Sequence, residues 1–158
     1  MHKTATILCA ALLAIIAAPG ICGQQALRVI DGDTIDLDGQ RIRLWGIDAP
    51  ERSQTCDGRN GDTYLCGTDS TAVLRELTNN RTVTCTERGH DRYKRSVAVC
   101  RTEAGEINAA MVRRGWAVDY VKYSRGAYAT EEAAAKAEGL GIWSGRFTMP
   151  ADYRRKKH

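Results

Sequence analysis

Hydrophobic residues in the first third of the chain alternate with polar ones at the period of β-strands. Val29-Ile30 leads into Asp31-Gly32-Asp33-Thr34, where the Asp-Gly pair predicts a tight bend. Ile35-Asp36-Leu37-Asp38 alternates apolar and polar, Asp38-Gly39 is a strong hairpin signal, and Gln40 to Trp45 alternates again. On that returning strand Ile42 and Leu44 share one face, and Arg41, Arg43 and Trp45 the other. Pro50 ends the run within Asp48-Ala49-Pro50-Glu51 and leaves carboxylates on a loop. An irregular stretch, 52–67, follows. Thr68-Asp69-Ser70 offers N-caps for a helix through about Leu77, with Val73, Leu74 and Leu77 as its apolar stripe and Asn79-Asn80 as its end. The spacing then predicts a hairpin over 82–101 with a polar turn region at 87–92. Helices are expected over 106–114, closed by Gly115, and from Thr130 to Gly139. Trp116 and Trp143 are large enough to be packing residues. The pattern alone defines a small α+β domain with an antiparallel sheet; it contains no repeat or interdomain linker.

The N-terminal stretch reads differently. Lys3 precedes an unbroken apolar run from Ile7 to Ala18, and Ala18, Gly20 and Gly23 supply the small residues of a cleavage site. Pro19-Gly20 cuts the run short of the roughly 20 residues a membrane span needs. The expected division is a signal peptide at 1–23, a domain at 24–148 and a basic tail at 149–158. Cleavage would leave Cys56, Cys66, Cys85 and Cys100, an even set that reads as disulfides in a secreted or periplasmic protein. Three pairings are open. Hairpin geometry favours Cys85–Cys100, which leaves Cys56–Cys66. Zinc is disfavoured, because C-x-x-C spacing and histidine partners are missing. The formal charge of +4 owes much to Arg154-Arg155-Lys156-Lys157, read as a solvated, frayed end that could add salt-sensitive attraction to nucleic acid.

Chemistry converges on carboxylates and arginines. Asp33 and Asp48 are brought together by the first hairpin, with Arg43 and Glu51 nearby. Hard oxygen donors of this kind suit Ca²⁺ or Mg²⁺, a guanidinium grips phosphate through paired donors, and a further carboxylate can orient or deprotonate water. Histidine is scarce: His2 leaves with the leader, His158 ends the chain, and only His90 is internal. A paired-histidine ribonuclease mechanism therefore has no second member, and a Ser-His-Asp triad has no G-x-S-x-G turn. An EF-hand is excluded too, because Ile42 stands where its closing glutamate belongs.

Three motifs in order, Asp31-Gly32-Asp33-Thr34, Arg43-Leu44 through Asp48-Ala49-Pro50-Glu51, and Asp91-Arg92-Tyr93-Lys94-Arg95, closely resemble the staphylococcal nuclease-like (thermonuclease) family. The likeness continues through Asn108, Val112 to Ala117 and Gly141-Ile142-Trp143-Ser144. It implies a five-stranded OB-fold β-barrel with about three α-helices. It also implies an endonuclease that uses Ca²⁺, held by Asp33, Asp48 and the backbone carbonyl of Ala49. Glu51 would activate or position water, Arg43 and Arg95 would hold the scissile phosphate, and Tyr93 would contact a nucleotide phosphate. Tyr120 or Tyr123 would stack on a base or sugar. Lys94 stands where the family often has glycine and is a candidate phosphate contact or a residue that stiffens the loop presenting Arg95. The implied substrates are DNA and RNA, single strands preferred, cut by a monomer to 3′-phosphate products. The rival classes are a silent nucleic-acid-binding module and a secreted interaction domain; neither needs the full set of acids and arginines.

Overall fold

A computed structural model describes residues 25–156. The expected leader at 1–23 lies outside the described residues, as do Lys157 and His158.

The alternating pattern forms the strands it predicts. Strand β1 (Leu27–Asp31), β2 (Thr34–Leu37) and β3 (Gln40–Leu44) make an antiparallel meander. Asp38 and Gly39 both have positive φ, 52° and 84°, which is the twist a two-residue hairpin demands. Two-residue strands β4 (Ile47–Asp48), β5 (Cys56–Asp57) and β6 (Thr63–Tyr64) follow, then helix α1 (Cys66–Thr78). The stretch expected to be irregular therefore holds a miniature β5–β6 hairpin. Helix α1 starts earlier than Thr68-Asp69-Ser70 implies, and no side chain caps it. The Cys56–Cys66 disulfide ties its first residue to β5 instead.

Strand β7 (Thr84–His90) continues past the expected turn region by way of a bulge between Glu87 and Gly89, so the turn is Asp91–Arg95. It pairs with β8 (Ser96–Thr102), where Cys85 lies opposite Cys100 and is bonded to it. Both disulfides match the favoured pairing, and each stabilises by about 2–4 kcal/mol, mainly through the unfolded chain. The main sheet has the order β1-β2-β3-β8-β7, with β3 and β8 parallel and α1 inserted between β3 and β7 in sequence. This agrees with an OB-fold, although no pairing closes β1 onto β7 among the described residues. Strand β9 (Gly105–Glu106) adds to β8 and leads into α2 (Ile107–Arg113).

Beyond α2, β10 (Val118–Asp119) pairs with β4, placing Val118 opposite Asp48. Then come α3 (Val121–Ser124), α4 (Ala129–Glu138), a 3₁₀ turn (Gly141–Ser144) and α5 (Pro150–Lys156). The three expected helices are thus present, and α3 and α5 add two short ones. Ile35, Ile42, Leu44, Leu74, Val83, Ile107 and Met111 fill the core between the sheet, α1 and α2. Trp116 and Trp143 pack on a smaller cluster of Cys56, Cys66, Val118 and Ile142. Buried Asn108 knits the sheet to α2: it accepts from the Cys100 amide and donates to the carbonyls of Trp45 and Ala98. No helix among the described residues is long and apolar enough to cross a membrane.

Candidate active site

The bend between β1 and β2 sets Asp33. Asp31 Oδ1 accepts the Asp33 amide at 3.1 Å, the local Asp-x-turn hydrogen bond that short carboxylates favour. Asp33 is 4% exposed, and its Oδ2 accepts the amide of Ala49 at 3.1 Å. Arg43 projects from β3, the strand directly paired with β2, where it stands opposite Thr34. Its guanidinium donates through Nη1 to Asp33 Oδ1 at 2.8 Å and through Nη2 to Asp48 Oδ1 at 2.9 Å. Asp48, 1% exposed, is pinned by the β4–β10 pairing. One fork therefore joins the two acids that the sequence places fifteen residues apart.

Charge is concentrated here on largely buried side chains. Burial, then the negative charge of Asp33, pushes the Asp31 carboxyl up to about 6. Burial also raises Asp48, against the pull of the Arg154 hydrogen bond and the arginine charges. Burial would lower Arg43, but Asp33 and Asp48 outweigh it and hold the guanidinium firmly charged.

Glu51 sits at the rim with its side chain 38% exposed. Its backbone is fixed by Gln54, a fully buried residue that pattern reading overlooks. The Gln54 amide donates to the Glu51 carbonyl at 2.7 Å, and its Oε1 accepts from the Glu51 amide at 3.2 Å. Gln54 Nε2 then donates to the carbonyl of Thr148, just ahead of α5. Helix α1 presses on the same segment, since a Cβ at Gly67 would lie 1.8 Å from the Glu51 carbonyl oxygen. Gly67→Ala should therefore destabilise the fold by about 3 kcal/mol or more and displace Glu51. Urea melts and turnover measured together check this; a variant with wild-type values in both would refute the close packing.

Arg95 is held by the turn Asp91–Arg95. Asp91 Oδ1 accepts the amides of Tyr93 and Arg95, and its Oδ2 accepts Arg95 Nε at 2.7 Å and Nη2 at 2.6 Å. Partial burial opposes ionisation of Asp91, yet these bonds hold its carboxyl below the usual range. Lys94 has φ 62°, which gives a physical reason for glycine in the equivalent family position.

These residues meet in one cleft of about 710 Å³. Asp31, Asp33, Arg43, Glu51, Tyr93 and Arg95 line it, with the Tyr120–Tyr123 pair on a further wall. Those two rings meet edge to face, 4.9 Å apart. Buried Asp48 reaches the same cluster through Arg43. Lys94 is exposed and does not line the cleft, so the structure leaves it apart from the other candidates.

Arg154 is the main surprise. The expected frayed end is instead α5, and Arg154 enters the cleft from it, donating through Nη1 to Glu51 Oε1 at 2.9 Å and through Nη2 to Asp48 Oδ2 at 2.8 Å. Nothing in the local run Arg154-Arg155-Lys156 separates this residue from its solvated neighbours; only the helical register does. Arg88 and Lys122 also line the cleft and were not singled out by any motif.

A hard divalent cation fits this donor set. Asp33, Asp48 and the carbonyl of Ala49 would hold it, the two carboxylates being nearly buried hard oxygen donors, and the cation would compete there with the guanidinium groups of Arg43 and Arg154.

The family model described as Staphylococcal nuclease homologue matches residues 41–145. An uncharacterized endonuclease of Haemophilus influenzae is 30% identical, the match covering 96% of this chain and 86% of that protein. Micrococcal nuclease of Shigella flexneri is 33% identical, over 85% of this chain and 82% of its own length. The succinoglycan biosynthesis protein ExoI of Rhizobium meliloti is 40% identical over 80% of this chain, and the match spans 66% of that protein. The fold and the matches define a nuclease, a hydrolase acting on nucleic acids. The chain belongs to the staphylococcal nuclease family.

Proposed function

We propose that the protein is an exported, Ca²⁺-dependent endonuclease that hydrolyses DNA and RNA without sugar specificity and leaves 3′-phosphate ends. The observation that carries this reading is that Asp33, Arg43, Glu51 and Arg95 line one cleft, with buried Asp48 joined to them through Arg43. Export is supported by the two disulfides and by the leader-like residues 1–23, with the working domain starting at about residue 24.

Bound Ca²⁺ would supply positive charge that offsets the phosphodiester. The remaining work falls to side chains. Arg43 has five donors, two of them spent on Asp33 and Asp48, which leaves donors for a phosphate oxygen. Arg95, oriented by Asp91, offers a second guanidinium from another wall; the two together stabilise charge that builds on the phosphate during attack. Glu51 accepts a proton from the attacking water as the water oxygen bonds to phosphorus; the P–O5′ bond breaks, the phosphate stays on the 3′ side, and the 5′ oxygen leaves with a proton from solvent. Because no 2′-hydroxyl takes part, ribose and deoxyribose strands should both be cut. Tyr120 and Tyr123 provide faces on which an unpaired base can stack, which favours single strands. Tyr93 contacts a neighbouring phosphate. Lys94 keeps at most an outer role in binding, given its place outside the cleft.

Arg154 opposes the cation in this scheme, since its guanidinium takes one oxygen of Asp48 and one of Glu51. Arg154→Gln should tighten Ca²⁺ binding roughly tenfold, about 1–2 kcal/mol after allowing for solvent screening. Calorimetric titration of chelator-treated protein reads this, and unchanged or weaker binding would dismiss the competition. The central test is degradation of denatured DNA and of RNA with Ca²⁺ or with chelator. Calcium-dependent cutting of both, with ends that a polymerase extends only after phosphatase treatment, is expected. Intact substrates with folded protein in every condition would overturn the proposal.

A further inference from the structure

A second concave surface lies beside the active cleft, and its charge is one-sided. This groove, about 860 Å³, is lined by Arg28, Arg41, Arg52 and Arg75 over a floor that includes Leu27, Val29 and Ile30. Glu76 is its one acidic residue, and that carboxylate is already paired with Arg114 at 2.9 Å. Arg28 reaches Asp36 only at 3.6 Å. Among the described residues, Arg41, Arg52 and Arg75 have no ion-pair partner. Unpaired guanidinium groups around a concave, partly apolar surface focus a positive potential and leave planar donors free.

The groove and the cleft are joined by three chain segments. Along β1, Arg28 to Ile30 line the groove and Asp31 the cleft. Along β3, Arg41 lines the groove and Arg43 the cleft; the two are on one face, about 7 Å apart. In the loop, Arg52 lines the groove and its neighbour Glu51 the cleft. A polymer with regularly spaced negative charge, once its reacting phosphate sits at Arg43, can therefore continue onto Arg41 and Arg52 without leaving a positive surface.

We infer that this groove is an extended binding track for the phosphate backbone of a single nucleic-acid strand, engaging nucleotides beyond the one being cut. The inference rests on the nuclease reading for its ligand. Leu27 and Ile30, half-buried, offer sugars and base faces an apolar floor. The track carries no base-specific donor pattern, so it adds affinity and processive hold without sequence preference.

The test compares the wild type with the triple variant Arg41→Gln/Arg52→Gln/Arg75→Gln. Binding of labelled single strands of about 20 and about 3 nucleotides is followed by fluorescence anisotropy in chelator across a salt series. The variant should bind the long strand about tenfold more weakly, with its salt slope reduced by about 2, at about 0.7 for each phosphate that an arginine no longer neutralises. Its affinity for the short strand, and kcat on that strand with Ca²⁺, should stay at wild-type values. Equal long-strand affinity and an equal salt slope in both proteins would overturn the track. A wild type that binds long strands more tightly and with a steeper salt slope than the variant, yet cuts nothing, would refute the nuclease reading while leaving the track supported.

Discussion

Replacing Glu51 with glutamine should lower kcat on denatured DNA by about 10²–10⁴-fold while the fold survives nearly unchanged. Glutamine keeps the size of the side chain and can still accept from Arg154, but it cannot take a proton from water. The structural cost is small for two reasons. The Glu51 side chain is 38% exposed, and its single ion pair, to Arg154, lies at the rim, where such pairs contribute about 1 kcal/mol or less. Its backbone is held separately by Gln54 and by the close approach of α1. Thermal melts should therefore shift by only a few degrees. Wild-type turnover in this variant would remove Glu51 from the chemistry and turn attention to Asp31, the other carboxylate on the cleft wall. On the proposed roles Asp31→Asn should have a far smaller effect on kcat, because Asp31 mainly holds the bend that presents Asp33.

What the sequence made legible was whatever depended on short-range pattern. The β2–β3 hairpin follows from Asp38-Gly39 and from strict alternation on either side, and its register brings Arg43 beside Asp33. The cross-strand Cys85–Cys100 bridge follows from the second hairpin by the same logic. Helix ends were less legible. Thr68 and Thr130 look like caps, yet the helices start at Cys66 and Ala129 with no side-chain cap; the first residue of α1 is tied instead by the Cys56–Cys66 disulfide. Contacts made by the C-terminal segment were not legible. Gln54 is anchored by the carbonyl of Thr148, 94 residues further on, and Arg154 meets Asp48 only because α5 folds back over the cleft. Composition around Arg154 signals a charged surface; which of its cations turns inward is decided by where Pro150 starts the helix.

Arg43→Ala should damage stability and activity together, and calcium should repair only the first. In the intact protein one guanidinium serves two carboxylates whose side chains are 5% and 1% exposed. Removing one partner of such a cluster costs about 3–5 kcal/mol, because desolvated charge is left behind. The lower end applies here, since Arg154 still donates to Asp48 and the Ala49 amide still donates to Asp33. Urea melts in chelator should show that loss. On the proposed donor set, added Ca²⁺ then stabilises the alanine variant more than the wild type, because the cation meets acids that no longer hold Arg43. Turnover stays low even at saturating calcium, with kcat down by about 10²–10³-fold, since the donors aimed at the phosphate are gone. Arg43→Lys separates the two functions: an ammonium restores much of the charge balance but not the planar fork, so stability returns further than kcat does. If the alanine variant melts like the wild type in chelator, the buried ion cluster is not what holds Asp33 and Asp48 in place. If the lysine variant turns over like the wild type, the fork is dispensable, and positive charge alone accounts for the grip on the phosphate.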